Sequence, residues 1–254
     1  MSKLDIALRD TASPVVGAAC YTYNPVFVDI AARLGYKALW IEMEHAHITF
    51  AQAADLCRIA TGQGLLTMIR IPDSRRENVL KAAECGPDII DLPMANSPSI
   101  VQELVHNARY SPEGGRGFFG ASRAVNYSIG QPLADEQRTI NGNLCLMIQI
   151  ETREAVDQVS EICAVPGFDA IFLGPGDMSA SLGVTGEVNH PLVLDAFAKA
   201  ISAAKLSGKR VAMACNPADV AQWASKGVEL FFCGSDIACM KIGAQQILST
   251  ASGL

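Results

Sequence analysis

The sequence is poor in charge, in aromatic rings and in histidine. Of its 254 residues only 18% are Asp, Glu, Lys or Arg, 6% are Phe, Trp or Tyr, and four are His. Acidic side chains outnumber basic ones 26 to 20, a net charge of −6, so the electrostatic footprint of a nucleic-acid binder is missing. No apolar run approaches the ~20 residues needed to cross a bilayer. The opening MSKLDIALRD places charges where a signal peptide requires an apolar stretch. Low-complexity tracts are absent and half the residues are apolar, which excludes disorder. A soluble cytoplasmic protein is expected, with neither nucleic acid nor membrane as partner. Cys-x-x-Cys pairs are also absent. The eight cysteines are scattered, most within apolar runs such as LCLMIQI and LFFCG, where a free thiol is a small core residue rather than half of a disulfide.

What the sequence does contain is alternation. Short, nearly continuous apolar runs at 15–21, 38–44, 65–71, 88–94, 144–151, 170–174, 210–215 and 230–234 read as parallel strands covered on both faces. Between them lie helix-like stretches, several ending in Gly: PVFVDIAARLG, FAQAADLCRIATGQG, RRENVLKAAECG, SIVQELVHNARY, REAVDQVSEICAV, PLVLDAFAKAISAAKLSG, PADVAQWASKG and DIACMKIGAQQILST. Eight strand–helix units of about 32 residues predict an α/β fold, a (β/α)₈ TIM barrel occupying 1–254 as a single domain. A doubly wound open sheet is the alternative. The connection at 109–143 is long, and its glycines would allow it to close over a site or to form an oligomer contact.

Catalytic groups of such barrels lie at the C-terminal strand ends. Read in order, those ends supply Glu42, Glu44 and His45, then Arg70, then Gln149 and Glu151, then Asp177 just after Gly174-Pro175-Gly176. Glu151 and Asp177, on neighbouring strands, would repel each other unless a cation sits between them, and two carboxylates with waters suit Mg²⁺ or Mn²⁺. A salt bridge or a helix cap is the plainer role for the same pair. His45 beside Glu42 and Glu44 suits a carboxylate-oriented base; a surface histidine is the alternative. The pair His45 and His47 would also open a metal amidohydrolase site, but His106 and His190 fall outside strand ends, which disfavours that chemistry. Arg70 closes an apolar strand, so its guanidinium must meet an anion, whether Glu42, Glu44 or a substrate oxygen. No lysine falls at a strand end, which disfavours imine chemistry. The GPGD turn opens a helix whose free N–H groups suit an anion.

The blocks WIEMEHAH, MIRIPD, DLPMANS, RYSPEGGRG, QIETREAV and IFLGPGDMSASLG, in that order from about residue 15 to 240, resemble the signature blocks of the HpcH/HpaI aldolases. These are metal-dependent class II pyruvate aldolases of the 4-hydroxy-2-oxoheptanedioate and 2-keto-3-deoxy sugar-acid type. The resemblance implies a (β/α)₈ barrel, assembled as a hexamer (a trimer of dimers) with the last helix swapped between paired subunits. It implies Glu151 and Asp177 as metal ligands, His45 as acid/base and Arg70 as the contact to the keto or enolate oxygen. Gln149 would lie near the metal and its waters, and the backbone of Gly176 and Asp177 would anchor the pyruvate carboxylate. Two positions depart from the family pattern: Glu42 stands where Asp is common three residues before the histidine, and Glu84 where Asp is common after the third strand.

The function expected is the reversible cleavage of a 4-hydroxy-2-oxo acid to pyruvate, or hydroxypyruvate, and an aldehyde. The cofactor expected is a divalent ion, Mg²⁺ or Mn²⁺ with Co²⁺ as a further candidate. Glu42 is counted with His45 and Arg70 in the catalytic set. Arg116, Arg123 and Tyr127 in the long connection would favour an acidic aldehyde. The rivals are a non-catalytic keto-acid-binding barrel, for which a base would be superfluous, and a lyase acting on a CoA thioester. The latter is expected to carry an added basic surface or a C-terminal extension, whereas the sequence stops at Leu254 soon after the last helix.

Overall fold

Strand residues alternate between two apolar environments, and that alternation builds the molecule. The computed structural model describes residues 3–9 and 14–253. Among these, eight parallel strands close in sequence order into a barrel: β1 (Val15–Cys20), β2 (Ala38–Glu42), β3 (Leu66–Arg70), β4 (Ile89–Leu92), β5 (Cys145–Ile150), β6 (Ala170–Leu173), β7 (Arg210–Ala214) and β8 (Leu230–Ser235). All eight coincide with the predicted runs. The helices are α1 (Lys3–Arg9), α2 (Pro25–Leu34), α3 (Phe50–Gly62), α4 (Arg76–Glu84), α5 (Pro98–Ala108), α6 (Leu133–Asn143), α7 (Arg153–Asp157), α8 (Val159–Cys163), α9 (Pro175–Ser181), α10 (Pro191–Leu206), α11 (Val220–Lys226) and α12 (Asp236–Ser252).

One residue of each strand pair faces the barrel interior and the next faces the helices, because successive side chains point to opposite faces of a strand. Ala19, Trp40, Met68, Ile89, Met147, Phe172, Ala212 and Phe232 belong to the inner cluster. Leu39, Ile41, Ile69, Ile90, Ile148, Ile171, Met213 and Phe231 pack outward against helical residues such as Leu56, Leu104 and Phe197. Trp40 meets Phe172 and Phe232 edge-on, with ring centroids 5.4 and 5.6 Å apart, a geometry that adds about 0.5–1.5 kcal/mol per pair beyond area burial. These rings fill the barrel because β1 recedes: a Cβ on Gly17 would stand 2.6 Å from the Phe232 ring and 2.9 Å from Ala38 Cβ.

Three elements differ from expectation. α1 was not anticipated: it sets the buried Leu4 into the inner cluster, and Asp5 pairs with Arg210 at 3.3 Å. The single helix expected over 153–165 is two, α7 and α8, meeting at Gln158, whose backbone leaves helical geometry. The connection at 109–143 holds a 3₁₀ segment (Arg123–Ser128) and α6, and it lies at the N-terminal ends of the strands rather than over their C-terminal ends. Arg123 donates to the carbonyls of Cys85 (2.6 Å) and Gly86 (3.2 Å), which lead into β4. Tyr110 and Asn141 exchange two hydrogen bonds of 2.8 and 3.0 Å. Its paired glycines serve packing: a Cβ at Gly114 would meet the Arg109 carbonyl at 2.5 Å, and one at Gly115 the His106 ring at 2.4 Å.

Gly17→Val should therefore destabilise the barrel by overpacking, at about 1–3 kcal/mol, read as a lowered urea midpoint with an unchanged m-value. An unaltered midpoint would show that β1 has room to shift.

Candidate active site

Continued for one more inward position, the same alternation replaces the apolar interior by a polar layer. Trp40 is followed inward by Glu42, Met68 by Arg70, Ile89 by Asp91, and Met147 by Gln149 and then Glu151. Every one of these five polar side chains is buried. Arg70 is their hub. Its Nε donates to Glu42 Oε2 at 2.6 Å, its Nη1 lies 3.1 Å from Glu44 Oε2 and donates to Gln149 Oε1 at 3.4 Å, and its guanidinium stacks 4.9 Å from the Trp40 ring. Arg70 is thus ion-paired within the protein, and its Nη2 carries none of these bonds.

Glu42 has a second function. Its Oε1 accepts the backbone N–H groups of Glu44 (2.7 Å) and His45 (2.9 Å), which fixes the turn that carries the histidine. The partner of the His45 imidazole is Glu44, with Oε2 3.7 Å from Nε2. Glu42 thus acts on the His45 backbone and Glu44 on its ring. Burial raises the Glu44 carboxyl above the usual range, against the pull of Arg70 and His45.

Gln149 donates to Asp91 Oδ2, which makes a buried chain Asp91–Gln149–Arg70. Asp91 is fully buried, and burial pushes its carboxyl up to about 8 although Gln149 and Arg70 both oppose the shift. Its Oδ1 has no hydrogen-bond partner. Sequence reasoning missed Asp91. The signal was available: in DIIDLPM it occupies the inward phase of β4, level with Arg70 on β3.

Glu151 lies just past β5. Met94 donates its N–H to Oε1 at 2.7 Å, while Oε2 lies so near Gly174 that a Cβ there would stand 2.6 Å away. That close approach is the reason for glycine at the head of GPGD. Burial, reinforced by the neighbouring charge of Asp177, lifts the Glu151 carboxyl to about 7. Asp177 is exposed in the first turn of α9, which starts at Gly174 without a side-chain cap. No group of three or more His, Cys, Asp or Glu suited to a metal occurs among the described residues. Two hard carboxylates, the buried one held back from ionising in part by the charge of the other, still fit an ion such as Mg²⁺, which takes one or two carboxylates and keeps several waters.

Two further residues were missed. Tyr21, immediately after β1, has its phenol raised by burial and by the nearby Glu42, with Asp177 and Arg70 also acting on it, so it sits among the predicted site residues. Asp236 holds it there: fully buried, Asp236 accepts the N–H groups of Tyr21 (3.0 Å) and Thr22 (2.9 Å) and the Thr22 hydroxyl (2.5 Å). The structure therefore brings Glu42, Arg70, Gln149, Glu151 and Asp177 together at one rim with His45 beside them. It does not bring Arg116, Arg123 or Tyr127 there. Arg116 pairs with Glu84 at 2.8 Å, and all three line a cavity with Gly86, Pro87 and Asp88 at the opposite end of the strands.

A closed parallel barrel with its ionisable groups gathered at the C-terminal rim is the architecture of a (β/α)₈-barrel enzyme. Comparison narrows the class. The profile of the HpcH/HpaI aldolase/citrate lyase family matches residues 20–240, and the chain belongs to that family of carbon–carbon lyases. The hydroxypyruvate/pyruvate aldolase of Roseovarius nubinhibens is 27% identical over 227 residues, spanning 89% of this chain and 88% of its own. The 2-keto-3-deoxy-L-rhamnonate aldolase of Escherichia coli is 30% identical over 194 residues, 76% of this chain and 72% of its own. The crystal structure of an HpcH/HpaI aldolase from Desulfitobacterium hafniense matches with a TM-score of 0.90 at 28% identity, covering 95% of this chain and 94% of that one. Among the described residues no helix is long and apolar enough to cross a membrane.

Asp91 provides a pH-dependent signature. The folded protein keeps its proton up to about pH 8, whereas the unfolded chain releases it above about pH 4. Its contribution to stability therefore falls as pH rises between those limits, by about 1.4 kcal/mol per pH unit. Relative to the wild type, Asp91→Asn should gain up to about 3 kcal/mol between pH 5 and pH 7.5 in urea titrations. An equal difference at both pH values would mean that Asp91 does not titrate in this window.

Proposed function

We propose that the protein is a divalent-metal-dependent class II aldolase that reversibly cleaves a 4-hydroxy-2-oxo acid into a 2-oxo acid and an aldehyde. The 2-oxo acid is pyruvate or hydroxypyruvate, in line with the names of the relatives. The observation that carries this reading is the buried Arg70 at the centre of a rim that also holds Glu151, Asp177 and the Glu44–His45 pair.

Glu151 and Asp177 are the residues to hold the ion, Mg²⁺, Mn²⁺ or Co²⁺. When bound it supplies Lewis-acid stabilisation of negative charge on the 2-oxo oxygen. The chain's own groups do the rest. The backbone at Gly176 and Asp177 receives the substrate carboxylate, as at other helix starts. In the cleavage direction the His45 imidazole takes the proton of the 4-hydroxyl. The C3–C4 bond then breaks, its electron pair passes to C3 and the keto group as an enolate, and the C4 oxygen becomes the aldehyde carbonyl. Glu44, 3.7 Å from His45 Nε2, stabilises the imidazolium so formed. Arg70 faces the charge that grows on the enolate oxygen, a buried cation preorganised by its ion pairs. Glu42 and Gln149 touch Arg70 and keep it in place, so they are positioning residues. We further propose that the barrel is one domain of a homo-oligomer, a hexamer of paired subunits: α12 leaves Met240, Ile242, Ile247 and Leu248 exposed, an apolar surface suited to a second copy.

Two measurements test the reaction. With Mg²⁺ or Mn²⁺ present, the protein should exchange the methyl protons of pyruvate for deuterium in D₂O, followed by NMR. Excess chelator, Glu151→Gln or Asp177→Asn should each reduce the exchange by about 100-fold or more; full exchange in either variant would remove that residue from the metal site. His45→Asn should separate the two half-reactions, lowering carbon–carbon cleavage by about 10²–10⁴-fold while the methyl exchange survives. Equal loss of both would place His45 at the enolate rather than at the 4-hydroxyl.

A further inference from the structure

Two cysteines face each other where β7 and β8 reach the barrel mouth. The register pairs Ala214 with Phe232, and the ladder runs one residue further, because the Cys215 N–H donates to the Phe232 carbonyl at 3.3 Å. Cys215 therefore stands opposite Cys233. It continues the outward phase of Met213, as Cys233 continues that of Phe231, so the two thiols emerge on the same, helix-facing side of the sheet. Neighbouring strands lie about 4.8 Å apart, within the roughly 4.4–6.8 Å between Cα atoms that a disulfide spans. Both thiols are free.

The pair is also set apart by its chemistry. The hydrogen bond between the two thiols pushes Cys215 up and pulls Cys233 below the ordinary thiol value, although burial opposes the second shift. A thiolate with a proton held on its neighbour is the state from which dithiols react. Cys57 and Cys85 also act on each other, but burial raises both, and the Cys85 thiol donates to the Phe50 and Lys81 carbonyls at 3.4 and 3.2 Å. Cys239 is exposed on α12, and it acts with Cys233 on the Tyr36 phenol, which makes it the competing partner for Cys233. Access favours the strand pair: Cys215 is half-buried and lines a cavity of about 310 Å³ with Tyr21, Trp40, Gly234 and Ser235, room enough for a molecule as small as hydrogen peroxide.

We propose that Cys215 and Cys233 form a modification site, a dithiol that a hydroperoxide converts reversibly into a disulfide. The Cys233 thiolate attacks one peroxide oxygen, the O–O bond breaks, and the departing hydroxide takes the Cys215 proton and leaves as water. The Cys215 thiolate then attacks the Cys233 sulfur, and the S–O bond of the sulfenic acid breaks. The hydroxide released there takes up the proton that Cys233 gave up on ionising, and becomes the second water. The two sulfurs together lose two electrons and the peroxide gains them. The new bond ties the ends of β7 and β8 just before Asp236, the anchor of Tyr21 and Thr22, whatever reaction the barrel catalyses.

The test is mass spectrometry of the folded, full-length protein after stoichiometric hydrogen peroxide. The intact mass should fall by about 2 Da, the two thiol hydrogens, and return with dithiothreitol. A non-reducing digest should join the peptide of Cys215 to that of Cys233. Cys239→Ser should leave this linkage intact. Cys215→Ser should abolish it and leave Cys233 as a sulfenic acid that dimedone captures. A linkage of Cys233 to Cys239, oxidation confined to Cys239, or an unchanged mass would each overturn the site.

Discussion

The charge of Arg70 governs the upper half of this barrel. A buried guanidinium needs anionic partners, and it has two, Glu42 at the end of the neighbouring β2 and Glu44 in the turn beyond, with Gln149 of β5 bonded to it and to the protonated Asp91. Breaking such a pair by removing one partner leaves an uncompensated charge in a low-dielectric interior, at a cost of about 3–5 kcal/mol. The requirement is reciprocal. Glu42 can order the His45 turn through two backbone N–H groups because its other oxygen is already neutralised by Arg70. One cation thus determines the positions of the turn, the histidine and the carboxylate that attends it.

This explains how the carboxylates divide their work. Glu42 and Glu44 face Arg70 and are compensated within the protein. Glu151 has one backbone N–H and the more remote charge of Arg70 in its favour, but it is buried near a second acid, so its carboxyl holds its proton more tightly than usual. The contrast lies in environment rather than residue type. The same reasoning separates Asp91 from the others: fully buried and hydrogen-bonded to Gln149 rather than to a cation, it resolves its burial by keeping a proton.

The fold was legible because it depends on local signals that each strand repeats. Runs such as LLTMIRI and LCLMIQIE have the length and continuity of strands covered on both faces, and eight of them in register admit few alternatives. The charged strand ends were legible for the same reason, since an Arg or Glu closing an apolar run stands out. Asp91 is hidden in its run by hydrophobicity, which marks DIIDLPM as a strand without showing its phase, although phase is what turns Asp91 inward beside Arg70. Tyr21 and Asp236 were invisible for a different reason. Their relation spans 215 residues and exists only once β1 and β8 are neighbours. In the long connection glycine content does not signify freedom to move; at Gly114 and Gly115 it reflects the close approach of Arg109 and His106.

The seating of Leu4 bears on how the chain reaches this state. Its side chain closes the interior from below, and α1 is held by Asp5 to Arg210, itself bonded to Glu229 at 2.5 Å. Helix α1 must therefore wait for partners made much later, since Arg210 lies 205 residues further along the chain than Asp5. Strand β1 waits likewise for β8. Until about residue 235 has been made, the growing sheet carries an open edge on each side and an unstoppered core, which is the stage at which such a chain is most exposed to misassociation. Closure is therefore a single late event in synthesis that completes the floor, the last seam of the wall and, through Asp236, the loop bearing Tyr21.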